Sequence, residues 1–205
     1  MKNKNAKDPF ETLGWNHIMV TDPYQVFAIS FDFADIGAFR KTIRQVLLSA
    51  AGNKVHKKSE PTHVLCMFRA IRSVMLAAHR LYRQGNTCVL QIEPGQFAQK
   101  RLYARPDGRW AAWAYLPKNL STKEYRDPYR VFRHFFKYQT LAQWQQSMAQ
   151  MLDYALASNT GHEDLNLLKL YLHLTRLMEA AHLIDVREVT HVGGLLKPAA
   201  IAQRR

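Results

Sequence analysis

From Asp22 onward, apolar residues recur at intervals of three and four. Ile36, Phe39, Ile43, Val46, Leu47 and Ala50 form one helical stripe; Leu141, Trp144, Met148, Met151, Leu152 and Ala155 form a second. Each stripe follows a shorter apolar run that opens on nearly the same letters, DPYQVF from Asp22 and DPYRVF from Asp127. Aspartate accepts hydrogen bonds from the free N–H groups of a helix start, and proline suits the first helical position. Asp22 and Asp127 are therefore expected to cap short helices over about 23–30 and 128–137. The striped helices are expected to start at Asp35 and Thr140, the latter with Gln143 at capping-box spacing. A longer helix follows each stripe. The first is expected near Ser59 and Pro61, the second after Thr160 and Glu163, which repeat the capping-box spacing. Leu165, Leu168, Tyr171, Leu172, Leu174, Leu177 and Met178 cover most of the second one's circumference, which predicts the most buried element of the chain.

The likeness extends beyond six letters. Asp22–Ala50 laid over Asp127–Ala155 without a gap gives nine identities in 29 positions, and most remaining apolar positions match in kind. The register resumes with Leu65–Leu81 over Leu168–Ile184. There Met75, Ala77, Ala78 and His79 meet Met178, Ala180, Ala181 and His182. The pattern predicts an internal duplication, units 22–84 and 127–187, within a single domain 1–205. Two long helices alone bury little core. The expected fold is therefore mainly α, with the duplicated helical units packed as one pseudo-twofold helical bundle.

Between the units the pattern changes. TCVLQIE alternates, and KRLYARPDGRWAAWAYLPK places Pro106, Asp107 and Gly108 between runs rich in Tyr and Trp. This predicts a small β-hairpin insert over about 86–117. Residues 191–205, with Gly193, Gly194 and Pro198, are expected to form a flexible tail.

Composition adds a partner class. Lys and Arg number 29 against 16 Asp and Glu, a formal charge of +13, while 47% of residues are hydrophobic. A core is sustainable, and the charge calls for an anionic partner such as nucleic acid or an acidic protein. Cys66 and Cys88 stand alone, so no disulfide framework or zinc motif is expected, and Cys66 reads as a buried thiol. The first residues are charged and lack an apolar signal core, and no apolar run reaches membrane-spanning length. The expected location is the cytoplasm.

The excess charge concentrates between Pro94 and Lys137, where ten basic residues face only Asp107, Glu124 and Asp127, with ten aromatics interleaved. Cations neutralise phosphates and aromatic faces stack on unpaired bases. The candidate nucleic-acid contacts are Lys100, Arg101, Arg105, Arg109, Trp110, Trp113, Arg126, Arg130 and Arg133. A second candidate is the repeated histidine. Arg72 precedes His79 by seven residues and Arg176 precedes His182 by six, in RSVMLAAH and RLMEAAH. This arrangement resembles the arginine–histidine motif of HEPN-type ribonucleases. The resemblance implies a helical cleft in which arginine holds a phosphate and histidine moves a proton. The two arginines are out of register in the repeat, Arg72 falling opposite Thr175. No metal-ligand spacing, Walker loop, dinucleotide fingerprint or nucleophile elbow occurs, so neither metal nor cofactor is expected. The leading expectation is a non-catalytic nucleic-acid-associated protein (RNA or DNA). The alternatives are an interaction or scaffold module for an acidic protein, and a HEPN-like ribonuclease.

Overall fold

Asp22 caps the first described helix as its position requires. Its carboxylate accepts from the Tyr24 N–H at 2.9 Å, and Pro23 occupies the first turn of α1, Pro23–Phe33. The structure is a computed structural model and describes residues 22–52, 55, 57, 60–85, 94–105, 111–156, 166–189, 191–192 and 195–196. Asp35 accepts from the Ala38 N–H at 2.8 Å and opens α2, Ile36–Ala51. The long helix α3, Pro61–Gln84, ends at Gly85, whose φ of 69° is the left-handed conformation that suits glycine. Two short helices follow, α4 (Ala112–Tyr115) and α5 (Thr122–Arg126). Then come α6 (Tyr129–Tyr138), α7 (Leu141–Leu156) and α8 (Leu167–Glu188). The expected Thr140–Gln143 capping box forms, with the Gln143 side chain accepting from the Thr140 N–H at 2.8 Å. Asn166 caps α8; the Thr160–Glu163 pair, Ser59, Leu165 and Cys88 lie outside the described residues.

The fold is mainly helical. α2 packs on α7 and α8, α1 on α3 and α8, and α6 on α8 and α3. One continuous apolar core runs through these helices, centred on fully buried Phe27, Phe39, Phe132, Phe135, Trp144 and Met151. The two DPY-x-VF segments meet face to face. The Tyr24 and Tyr129 hydroxyls are 3.1 Å apart, and the Phe27 and Phe132 rings lie 6.1 Å apart.

Four expectations need correction. Asp127 does not cap α6. Pro128 is the residue before the helix, and the Asp127 carboxylate instead pairs with Arg133 at 3.2 Å while its main chain closes α5. The hairpin insert is replaced, over its described part, by helical turns: one-turn 3-10 helices at Pro94–Gln96 and Lys100–Leu102, and α4. Ala111, Ala112 and Ala114 favour helix, and side chains of α8 hold the segment where strand pairing would have been needed. Arg187 donates to the Leu102 carbonyl at 2.8 Å and Arg105 pairs with Asp185 at 2.6 Å. The Pro106–Gly108 turn and TCVLQIE lie outside the described residues. Leu168 and Leu172 are exposed on α8, and Cys66 is only half-buried. Of the expected tail, His191–Val192 pairs antiparallel with Leu195–Leu196, and the first of these strands lies against α1.

Candidate functional site

Folding sorts the charges. Four carboxylates, Glu124, Asp127, Glu179 and Asp185, are buried, each against a cation. The lysines and arginines remain mostly outside. Lys100, Arg101, Lys118, Lys123, Arg130, Arg133 and Lys137 are all exposed, so the surface of the 94–137 segment is more one-sidedly basic than its letters.

Glu179 organises the most elaborate of these clusters. Its carboxylate accepts from Arg40 Nε at 2.9 Å and from the main-chain N–H groups of Lys118 at 3.0 Å and Asn119 at 2.9 Å. The rest of the Arg40 guanidinium donates to the carbonyls of Ala114 and Leu116 at 2.8 and 2.9 Å. Helix α2, the segment 114–119 and α8 are thereby fastened at one point. Above it opens a cavity of about 570 Å³, lined by Arg40, Lys41, Arg44, Gln45, Leu48, Lys118, Asn119 and Tyr171. Among the described residues no carboxylate lines it. The Lys118 ammonium also lies 5.8 Å from the ring of Trp113, which is 70% exposed.

A second cluster surrounds Glu124. It closes a capping box with Ser121 and pairs with Arg176, while His134 Nδ1 lies 3.4 Å away. Burial pushes the Glu124 carboxyl up, but the Ser121 N–H and hydroxyl and the Arg176 charge outweigh burial and hold it below the ordinary carboxylate range. A depressed folded value means stability present above the unfolded value and lost as pH falls through the folded one. Glu124→Gln should therefore flatten the acid limb: below about pH 4.5 the wild type should lose melting temperature more steeply than the variant. Equal slopes in melts recorded across that range would refute the assignment. Nearby, Tyr129 donates to Glu188 at 2.5 Å, and burial raises both groups above their ordinary values.

The residues singled out in the sequence separate in the structure. Lys100, Arg101, Arg130, Arg133 and Trp113 are exposed. Arg105 is half-buried in its pair with Asp185, and Arg126 lies 5.1 Å from the Phe97 ring; Arg109 and Trp110 fall outside the described residues. His182 is buried, edge-on to Phe31 at 5.0 Å and stacked on Tyr115 at 5.9 Å. Arg176 points to Glu124. Arg72 is exposed on α3, and His79, half-buried, lies edge-on to Phe136 at 4.9 Å. Among the described residues no three His, Cys, Asp or Glu side chains form a metal-binding group, and no helix is long and apolar enough to cross a membrane.

Arg40, Lys41, Arg44 and Glu179 were not legible as a site. A signal does exist: at the 105-residue offset of the two DPY segments these three cations stand opposite Gln145, Gln146 and Ala149, while the surrounding apolar letters agree. Glu179 stands opposite Leu76, an acid where the other helix carries an apolar residue. No protein-family model matches the chain, and no curated protein or solved structure matches it.

Proposed function

We propose that the chain is a non-catalytic nucleic-acid-binding protein that holds single strands on the basic surface of the 94–137 segment. The observation that carries this reading is the sorting of charge. Both described acids of that segment, Glu124 and Asp127, are buried, while seven of its cations and Trp113 face solvent. Cations meet phosphates, and an exposed tryptophan is a stacking platform that every base can use. Trp113→Ala should weaken binding of a single-stranded oligonucleotide by about 1–3 kcal/mol, read by fluorescence anisotropy, without lowering the melting temperature. An unchanged affinity would remove the stacking role. RNA and DNA are both candidate strands. An acidic protein would meet the same cations, and an oligonucleotide that fails to bind at low salt would favour that partner instead.

The fold-level part of the reading is an internal duplication, units 22–84 and 127–187, packed about a pseudo-twofold axis within one domain. Its support is that the equivalent residues Tyr24 and Tyr129, and Phe27 and Phe132, lie next to each other. Residues near a twofold axis touch their own equivalents. The helix contacts also exchange: α1 packs on α3 and α8 as α6 packs on α8 and α3.

A further inference from the structure

We propose that the cavity between α2, α8 and the 118–119 segment is a binding site for a phosphate-bearing ligand of mononucleotide size. This stands independently of strand binding. The volume of about 570 Å³ falls within the range of small-ligand sites, which is about 300–1,000 Å³. Among the described residues the lining carries four cations and no acid. Arg40 is neutralised by Glu179 at the floor, leaving Lys41, Arg44 and Lys118 as the uncompensated charges. All three are exposed, and among the described residues no carboxylate comes within ion-pair distance of them.

The site is built as well as charged. Glu179 is fully buried, and it holds Arg40 and the main chain of Lys118 and Asn119 at fixed distances. The backbone that carries Lys118 is thus set in place by the core before any ligand arrives, which lowers the ordering cost of binding. Arg44 offers a planar fork suited to two phosphate oxygens, and Lys41 and Lys118 add point charges. Tyr171 supplies ring surface and Asn119 polar groups for the uncharged body of the ligand. The cations are also local to this half of the chain: the positions opposite Arg40, Lys41 and Arg44 in the second half are Gln145, Gln146 and Ala149. A general need for solubility would not place them on one side only.

The test titrates the full chain with adenosine 5′-monophosphate, adenosine and inorganic pyrophosphate by calorimetry. The monophosphate and pyrophosphate should bind, and adenosine should bind at least about tenfold more weakly, because the phosphate carries the attraction. Arg44→Glu and Lys41→Glu, both on the exposed face of α2, should each weaken the monophosphate about tenfold or more, and Arg44→Lys should retain part of the affinity. Arg69→Glu, exposed on α3 and not among the residues that line the cavity, should change nothing. Absence of monophosphate and pyrophosphate binding at about 1 mM, equal binding of adenosine, or affinity that survives Arg44→Glu would overturn the proposal. Where the monophosphate binds, oligonucleotides with and without a 5′-phosphate identify the source. Tighter binding of the phosphorylated one assigns the cavity to strand ends, and equal binding assigns it to a free ligand.

Discussion

Glu179→Ala is expected to destabilise the protein by about 3–5 kcal/mol, the largest single-residue effect anticipated here. The reason is what the substitution leaves behind. The Arg40 side chain, only 11% exposed, would retain its charge without a counter-charge. The Lys118 and Asn119 N–H groups would lose their acceptor in a part-buried site. Removing one partner of a buried ion pair is far more damaging than replacing both by apolar residues. Glu179→Leu combined with Arg40→Met should therefore recover much of the loss; leucine is the residue opposite Glu179 at the aligned position, Leu76. Urea denaturation provides the measurement, as a shift of midpoint at unchanged slope. A loss below about 1 kcal/mol would place the pair in the class of exposed ion pairs and deny it a role in holding the three elements together. The double variant also addresses the cavity. It restores the core but not the main-chain anchor at 118–119, so stability should return while phosphate affinity stays low.

The second large effect is on strand binding. If about six of the exposed cations on 94–137 contact phosphates, affinity for a single strand should fall on the order of a hundredfold to a thousandfold between about 50 and 200 mM salt, because each contact releases condensed counterions. Reversing Arg101 and Arg130 together should lower the affinity at fixed salt and make the logarithmic slope shallower by about 1–2. Both residues are exposed, so neither change threatens the core. Arg105 would be a misleading choice: its pair with buried Asp185 means that a reversal there strands a buried charge, and lost binding would report lost structure. Binding that is indifferent to salt, or a slope unmoved by the double reversal, would rule out the phosphate contact.

Much of the helical layout was legible from letters alone, because a helix is specified by signals within a few residues of one another. The apolar spacing of Ile36–Ala50 and Leu141–Ala155, and caps such as Asp22, Asp35 and Thr140, act across one or two turns. The errors have the same origin. DPY at Asp127 looks locally like DPY at Asp22, yet Asp127 closes a preceding helix that Asp22 does not have among the described residues, and Arg133 takes its carboxylate. The Tyr and Trp spacing before Leu116 suggested strands. What decided its conformation was contact with α8, through Arg187 on the Leu102 carbonyl and Tyr115 on His182.

The candidate site belongs entirely to this second category. By itself the sequence determined a mainly helical chain, its apolar faces, most of its helix starts and its surplus of positive charge. The tertiary structure alone decided which charges remain outside. Arg40 and Glu179 are 139 residues apart, and Arg105 and Asp185 are 80 apart. A carboxylate enters a core only where packing delivers a cation to it. No local pattern records that meeting, and it is the burial of those acids that leaves Lys41, Arg44 and Lys118 unopposed around a cavity.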